Sequence, residues 1–264
     1  MSYQRSVKMI IKPVKLVLCA LISGVMFCGS AGFAMAAEDG AQEESAPNSY
    51  ATPQELRDAA AKVSREFKEG VNYKILPGKA ISDHKLVTEF FSFYCGHCHA
   101  FLPMIRQVRD ALPDDVEFTQ NPVHYLGGSM GPEFQKAYAA AVNLNVAEAF
   151  VTKVDDEVFN QNKVPQSHDD VVRIFEELGV PAHTFEAQYK SFPVSTMAAQ
   201  YRQNTEDSKI QGVPAVVVNG KYIIIARGTN GIAEYYALVK HLLELDDKKT
   251  DGGEATAAAG KDGK

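Results

Sequence analysis

The sequence predicts an α/β protein in which a mixed sheet carries an inserted all-helical domain. Three observations predict it. Strand patterns at 72–76, 85–93 and 116–123 surround a helical period at 95–112, which gives a β-β-α-β order. Residues 132–209 then hold helical periods only, at 132–145, 147–160, 168–178, 181–190 and 194–209. Finally, strands at 215–218 and 221–226, joined by the hairpin pair Asn219-Gly220, lead into an amphipathic helix at 231–245.

In chain order, residues 1–36 stand apart. Arg5, Lys8, Lys12 and Lys15 precede an apolar run from Leu16 to Phe27, and Ala34-Met35-Ala36 supplies small residues where a signal peptidase reads. That is the pattern of a cleaved signal peptide, so the protein is expected to be exported. Removing it takes Cys19 and Cys28 away and leaves Cys95 and Cys98. It also leaves 23 basic residues against 33 acidic ones, a net charge of −10, which argues against nucleic acid and anionic membrane surfaces as partners. Residues 37–51 are polar and aperiodic and read as a disordered lead-in.

Thr52-Pro53-Gln54-Glu55 forms a capping box with Pro at the first helical position, so a helix is expected over 52–70, closed by Gly70. Its apolar stripe of Leu56, Ala60, Val63 and Phe67 would pack on the domain or pair with another copy; a monomer is the expectation, a dimer through this helix the alternative. The sheet-bearing domain takes 71–127 and 210–246, the helical insert 128–209, and 247–264 form a disordered tail. The strand at 85–93 is apolar on both sides, as a central strand should be. Glu89 interrupts its inward face of Val87, Phe91 and Phe93, an expensive place for a carboxylate. Pro103 interrupts the hydrogen bonding of the helix at 95–112 and should kink it.

Cys95-Gly96-His97-Cys98 lies where that strand meets that helix. A pair of thiols three residues apart can close a disulfide with little backbone movement. Cys95 sits at the helix N-terminus, where free N–H groups favour a thiolate, so it is the attacking sulfur and the more buried Cys98 resolves. His97 can stabilise the thiolate charge. Zinc would need two further ligands, and the neighbours His97 and His99 point too far apart to complete a tetrahedron, so no metal and no cofactor are expected. Glu89 is either a carboxylate paired with a lysine or a buried acid that relays the proton of Cys98. In Gly212-Val213-Pro214 the proline is expected to begin a strand; a cis bond there would leave the Val213 backbone free to pair with an extended peptide.

The segments 89–98, Tyr125-Leu126-Gly127-Gly128, Gly212-Val213-Pro214-Ala215 and Val218-Asn219-Gly220-Lys221-Tyr222 together resemble the DsbA family of periplasmic thiol:disulfide oxidoreductases, over roughly residues 70–245. The resemblance implies a thioredoxin fold with an inserted helical domain, a cis-proline loop at Val213-Pro214 that holds substrate, and Cys95 as nucleophile. It further implies oxidation of reduced, unfolded exported proteins and reoxidation by a DsbB-like, quinone-linked membrane oxidase. Three features depart from the family. Gly-His replaces Pro-His between the cysteines, which is the pairing of protein disulfide isomerase, an enzyme poised between thioredoxin and DsbA in oxidising strength. Gln120 stands where the family has a lysine beside the buried glutamate, which should raise the Glu89 pKa further. Residues 37–69 and the tail have no counterpart. A disulfide isomerase or reductase would use the same residues; a periplasmic holdase chaperone or metal carrier is the reading of a different class.

Overall fold

The computed structural model of the chain describes residues 49–50, 52–79 and 81–245. The expected signal peptide and tail, and most of the expected lead-in, lie outside these residues. Among the described residues no helix is long and apolar enough to cross a membrane.

Helix α1 (Pro53–Ala61) begins as its sequence requires. The Thr52 hydroxyl accepts from the Glu55 N–H at 3.2 Å and the Glu55 carboxylate accepts from the Thr52 N–H at 3.2 Å. It ends at Ala61 rather than at Gly70. Residues 63–68 lie outside any helix or strand and lead toward Tyr73, the start of the first strand. On the way Arg65 pairs with Glu234 and the Phe67 ring meets His241 at 5.6 Å. Leu56 and Ala60 are buried, and α1 packs on the long helix α2 (Gly96–Ala111) and the closing helix α8 (Gly231–Leu243). Two of the four stripe residues, Leu56 and Ala60, are thus spent inside the fold, while Val63 and Phe67 are half-buried. Tyr50 also departs from the disorder expected of 37–51: its N–H donates to the Gln107 side chain at 2.7 Å and its ring packs on the core.

The sheet has five strands in the order β1-β5-β4-β2-β3. These are β1 (Tyr73–Ile75), β2 (Leu86–Phe91), β3 (Glu117–Pro122), β4 (Ala215–Val218) and β5 (Tyr222–Ile224). Only β2 and β3 pair in parallel, joined through α2; the other pairs are antiparallel. Asn219 and Gly220 both have positive φ, at 50° and 67°, as a tight hairpin turn demands. The Asn219 side chain also accepts from the Leu86 N–H at 3.1 Å and donates to the Leu243 carbonyl at 3.2 Å, so one residue ties the hairpin to β2 and α8.

Between β3 and β4 lie five helices: α3 (Met130–Asn143), α4 (Ala147–Asp155), α5 (His168–Glu177), α6 (Ala182–Tyr189) and α7 (Phe192–Asp207). The single helix expected over 147–160 is instead α4 followed by a π-helical turn, Asp156–Asn160. Within that turn the buried Glu157 is held by Arg173 at 2.8 and 3.0 Å and by Lys153 at 3.0 Å. Rings of Phe134, Phe150, Phe175 and Phe185 follow one another at centroid distances of 5.9, 4.9 and 4.1 Å, and Phe93 from the end of the β2 segment joins them at 5.5 Å from Phe150. The insert and one face of the sheet therefore share a core. Fold and insert match the sequence expectation.

Leu56, only 1% exposed, anchors α1. Leu56→Ala should lower the unfolding free energy by about 2–4 kcal/mol, read from urea titrations.

Candidate active site

Strand β2 delivers the chain to Cys95 through Ser92-Phe93-Tyr94. The close-packed loop of Gly127 fixes this approach: at φ +86° it lies against the Tyr94 ring, and a Cβ there would come within 2.4 Å of Tyr94 Cδ2. Cys95 is the N-cap of α2. Its sulfur accepts from the Cys98 N–H at 3.2 Å, and its thiol lies 3.4 Å from the Val213 carbonyl oxygen as donor. The Val213–Pro214 bond is cis, and Ala215, next in line, is paired with Phe90 of β2. That register brings Val213 to the start of α2. Cys95 and Cys98 are both free thiols, 8% and 6% exposed.

The two sulfurs receive opposite pushes. The Cys98 thiol donates toward Cys95, and the N–H groups of Cys98 and His97 and the charge of His97 add to it; against the cost of burial these bring the Cys95 pKa down to about 6. The same hydrogen bond, then burial and the charges of Cys95 and Glu89, drive the Cys98 pKa far above the ordinary thiol value. One proton therefore leaves the pair easily and the other is held. His97 is exposed and makes the smallest of the named contributions.

Glu89 is 1% exposed in the middle of β2. Parallel pairing sets it opposite Gln120 of β3, and the Gln120 amide donates to its carboxylate at 2.8 Å. Tyr138 of α3 donates in turn to the Gln120 carbonyl oxygen at 3.2 Å. Burial dominates over this hydrogen bond and over the more distant Arg106 and Arg109, and the Glu89 pKa rises from 4.5 to about 7. A cavity of about 20 Å³, room for a single water, is lined by Glu89, Ser92, Cys98, His99 and Asp155 among apolar side chains.

The structure thus gathers Cys95, Cys98, Val213 and Glu89 at one place, with His97 on the outer side. It adds residues that sequence reasoning did not assign. His99 entered only as a zinc ligand to be dismissed; its Nδ1 lies 2.9 Å from the Asp155 carboxylate and its ring stacks on Phe159 at 4.7 Å. A histidine directly after a Cys-x-x-Cys is the one signal that the sequence offered. Among the described residues no cluster of three or more potential ligands could hold a metal ion.

Two outcomes follow from these charges. Glu89 titrates near 4.5 when unfolded and near 7 when folded, so between those values the folded protein holds more protons and loses stability as pH rises. The full loss, on the order of 3 kcal/mol, applies above pH 7. Glu89→Gln should be the more stable protein by about that amount at about pH 8, its advantage fading below about pH 4.5, as followed by urea titration. The reduced protein should show alkylation of its first thiol half-maximal near pH 6.

Residues 86–237 match the family model described as a DSBA-like thioredoxin domain. The thiol:disulfide interchange protein DsbA of Dickeya dadantii is 34% identical over 187 residues, which cover 67% of this chain and 89% of that one. The crystal structure of the disulfide oxidoreductase DsbA from Proteus mirabilis superposes with a TM-score of 0.62 at 29% identity, over 67% of this chain and 97% of that one. A structure of the same Proteus protein with a non-covalently bound peptide, PWATCDS, gives a TM-score of 0.61 at 29% identity, over 68% and 97%. With a dithiol at the helix start, a cis-proline loop beside it and these relatives, the chain belongs to the DsbA-like thioredoxin-domain family of thiol:disulfide oxidoreductases.

Proposed function

We propose that this oxidoreductase works as a dithiol oxidase for newly exported proteins in the periplasm, with Cys95 as the nucleophilic sulfur, Cys98 as its partner and Glu89 as the proton carrier. The observation that carries the direction is the depressed Cys95 pKa. A thiolate stabilised in the dithiol form favours that form, which makes the disulfide a ready oxidant.

In the cycle, a substrate thiolate attacks the Cys95 sulfur of the Cys95–Cys98 disulfide. The sulfur–sulfur bond breaks, its electron pair leaves on Cys98, and Glu89 supplies a proton to Cys98. A second substrate thiolate then attacks the substrate sulfur of the mixed disulfide and releases Cys95 as a stabilised thiolate. The substrate loses two electrons and the enzyme disulfide gains them. His97 adds positive charge on the solvent side of the Cys95 thiolate. The Val213-Pro214 loop is the peptide-binding edge, a reading supported by its place beside the Cys95 sulfur; the Proteus relative has been crystallised with a non-covalently bound peptide. Reoxidation falls to a DsbB-like membrane oxidase, and export rests on the basic-apolar-small pattern of residues 1–36. Burial of Leu56 and Ala60 of α1 inside the fold favours a monomer over a dimer through this helix.

Equilibration of the mature protein with glutathione tests the direction. A potential well above that of thioredoxin is expected; one near thioredoxin's would overturn the oxidase reading. Cys95→Ser should abolish oxidation of a dithiol peptide, and full retained activity would exclude the assignment of Cys95.

A further inference from the structure

The cavity beside Glu89 and Cys98 has one polar side that approaches solvent. Phe91, Phe93, Leu102 and Val151 close it with apolar surface; His99 and Asp155 line the rest together with Ser92. The side chains of His99 and Asp155 are 37% and 20% exposed, so each meets the cavity and water. We propose that the His99–Asp155 pair is the port through which the buried acid is loaded with its proton from solvent.

The pair is built, not incidental. His99 Nδ1 lies 2.9 and 3.0 Å from the two carboxylate oxygens of Asp155, and Phe159 stacks on the ring at an interplanar angle of 22°. Asp155 ends α4 and Phe159 lies in the π turn that follows. An α-helical continuation would set Phe159 at a different angle to Asp155. The π turn is kept by Glu157, buried among Arg173 and Lys153, both of which also reach Glu177. Such turns recur where a helix must present side chains for function.

Among the described residues, the other polar groups around Glu89 are poorer carriers of a proton near neutrality, the Ser92 hydroxyl included. Gln120 carries no exchangeable acid proton, and the hydroxyls of Tyr138 and Tyr235 are buried with pKa values raised well beyond the working range. Arg106 and Arg109 of α2 act on Glu89 only as charges, opposed by Glu148 of α4, with which both form ion pairs at 2.7 Å. Histidine paired with a carboxylate is the group suited to pass protons near neutrality.

The inference rests on Glu89 as proton carrier and adds a condition to it. Below pH 7 the acid is already protonated when substrate arrives; above it the proton must enter within the turnover. Single-turnover oxidation of a dithiol peptide by the oxidised protein, by rapid mixing from about pH 5 to about pH 9 in dilute non-imidazole buffer, reads this out. His99→Phe keeps the stack on Phe159 and Asp155→Asn keeps an acceptor for Nδ1. Both should show a loss that grows as pH rises through about 7, to about tenfold at the top of the range. Their equilibrium with glutathione should match wild type. His99→Ala should regain rate as imidazole is added. Wild-type rates in both variants, a loss independent of pH, or failure of imidazole to restore His99→Ala would each overturn the port. Glu89→Gln separates the two readings: slow at every pH, it keeps Glu89 as carrier whatever the port variants do; at wild-type rate, it overturns both.

Discussion

A carboxyl group placed in an apolar layer must be protonated, paired with a cation, or expelled, and the centre of this protein is arranged around the first choice. The register of β2 against β3 puts a neutral amide, Gln120, beside Glu89. An amide offers one hydrogen bond and no charge, so it offsets part of the desolvation and leaves the rest. A lysine at that place would hold the carboxylate ionised and remove its use as an acid at neutral pH. Tyr138 fixes the amide so that its N–H side, not its oxygen, faces Glu89. Two neighbours, Gln120 and Tyr138, thus set the protonation state of the proposed proton carrier.

The same logic of unequal neighbours separates the two thiols. Both start one helix, yet only Cys95 stands at the cap, where the Cys98 N–H points at its sulfur. Cys98 lies a turn deeper, facing the glutamate side, where the charges of Cys95 and Glu89 both oppose its ionisation. A disulfide between such unlike sulfurs breaks in a preferred sense: the pair of electrons that ends on Cys95 is welcome, while the one that first arrives on Cys98 is tolerated only if a proton comes with it. The reactivity of the motif lies in this asymmetry more than in the spacing of its cysteines.

Much of this was legible in the sequence because it is local. Capping, the apolar strand, the Cys-x-x-Cys turn and the Asn219-Gly220 hairpin are each decided by residues a few positions apart, and the order of strands and helices then leaves few sheets to choose from. Glu89 also announced itself, since a lone acid on an apolar face violates the strand's own pattern. What did not show were features decided by partners far along the chain. Val63 and Phe67 continue the stripe of α1, yet the helix stops at Ala61, and Arg65 and Phe67 instead meet Glu234 and His241 of α8, 169 and 174 residues on. The π turn after α4 reads as plain helix from its own residues; it takes Arg173 to hold Glu157 there. His99 and Asp155 lie 56 residues apart, and nothing near Asp155 marks it out.

The helical insert is therefore more than a cover. It is tied to the sheet through the Phe93–Phe150 contact and through β3, where Asn121 donates to the Tyr201 carbonyl and the Thr205 hydroxyl of α7, each at 3.0 Å, and Gln135 of α3 donates to the Pro122 carbonyl at 2.7 Å. These hydrogen bonds fix relative position more sharply than apolar contact does. Because α4 is held in that frame, the residues that it lends to the site are positioned as firmly as those of the sheet. Helix α2 supplies the sulfurs and the sheet the acid; the insert supplies part of the wall between that acid and water. If the proposed port operates, an insert of the same size without Asp155 and Phe159 would leave the thiols in place and change only how a proton reaches them, so that rate and oxidising strength could be adjusted separately.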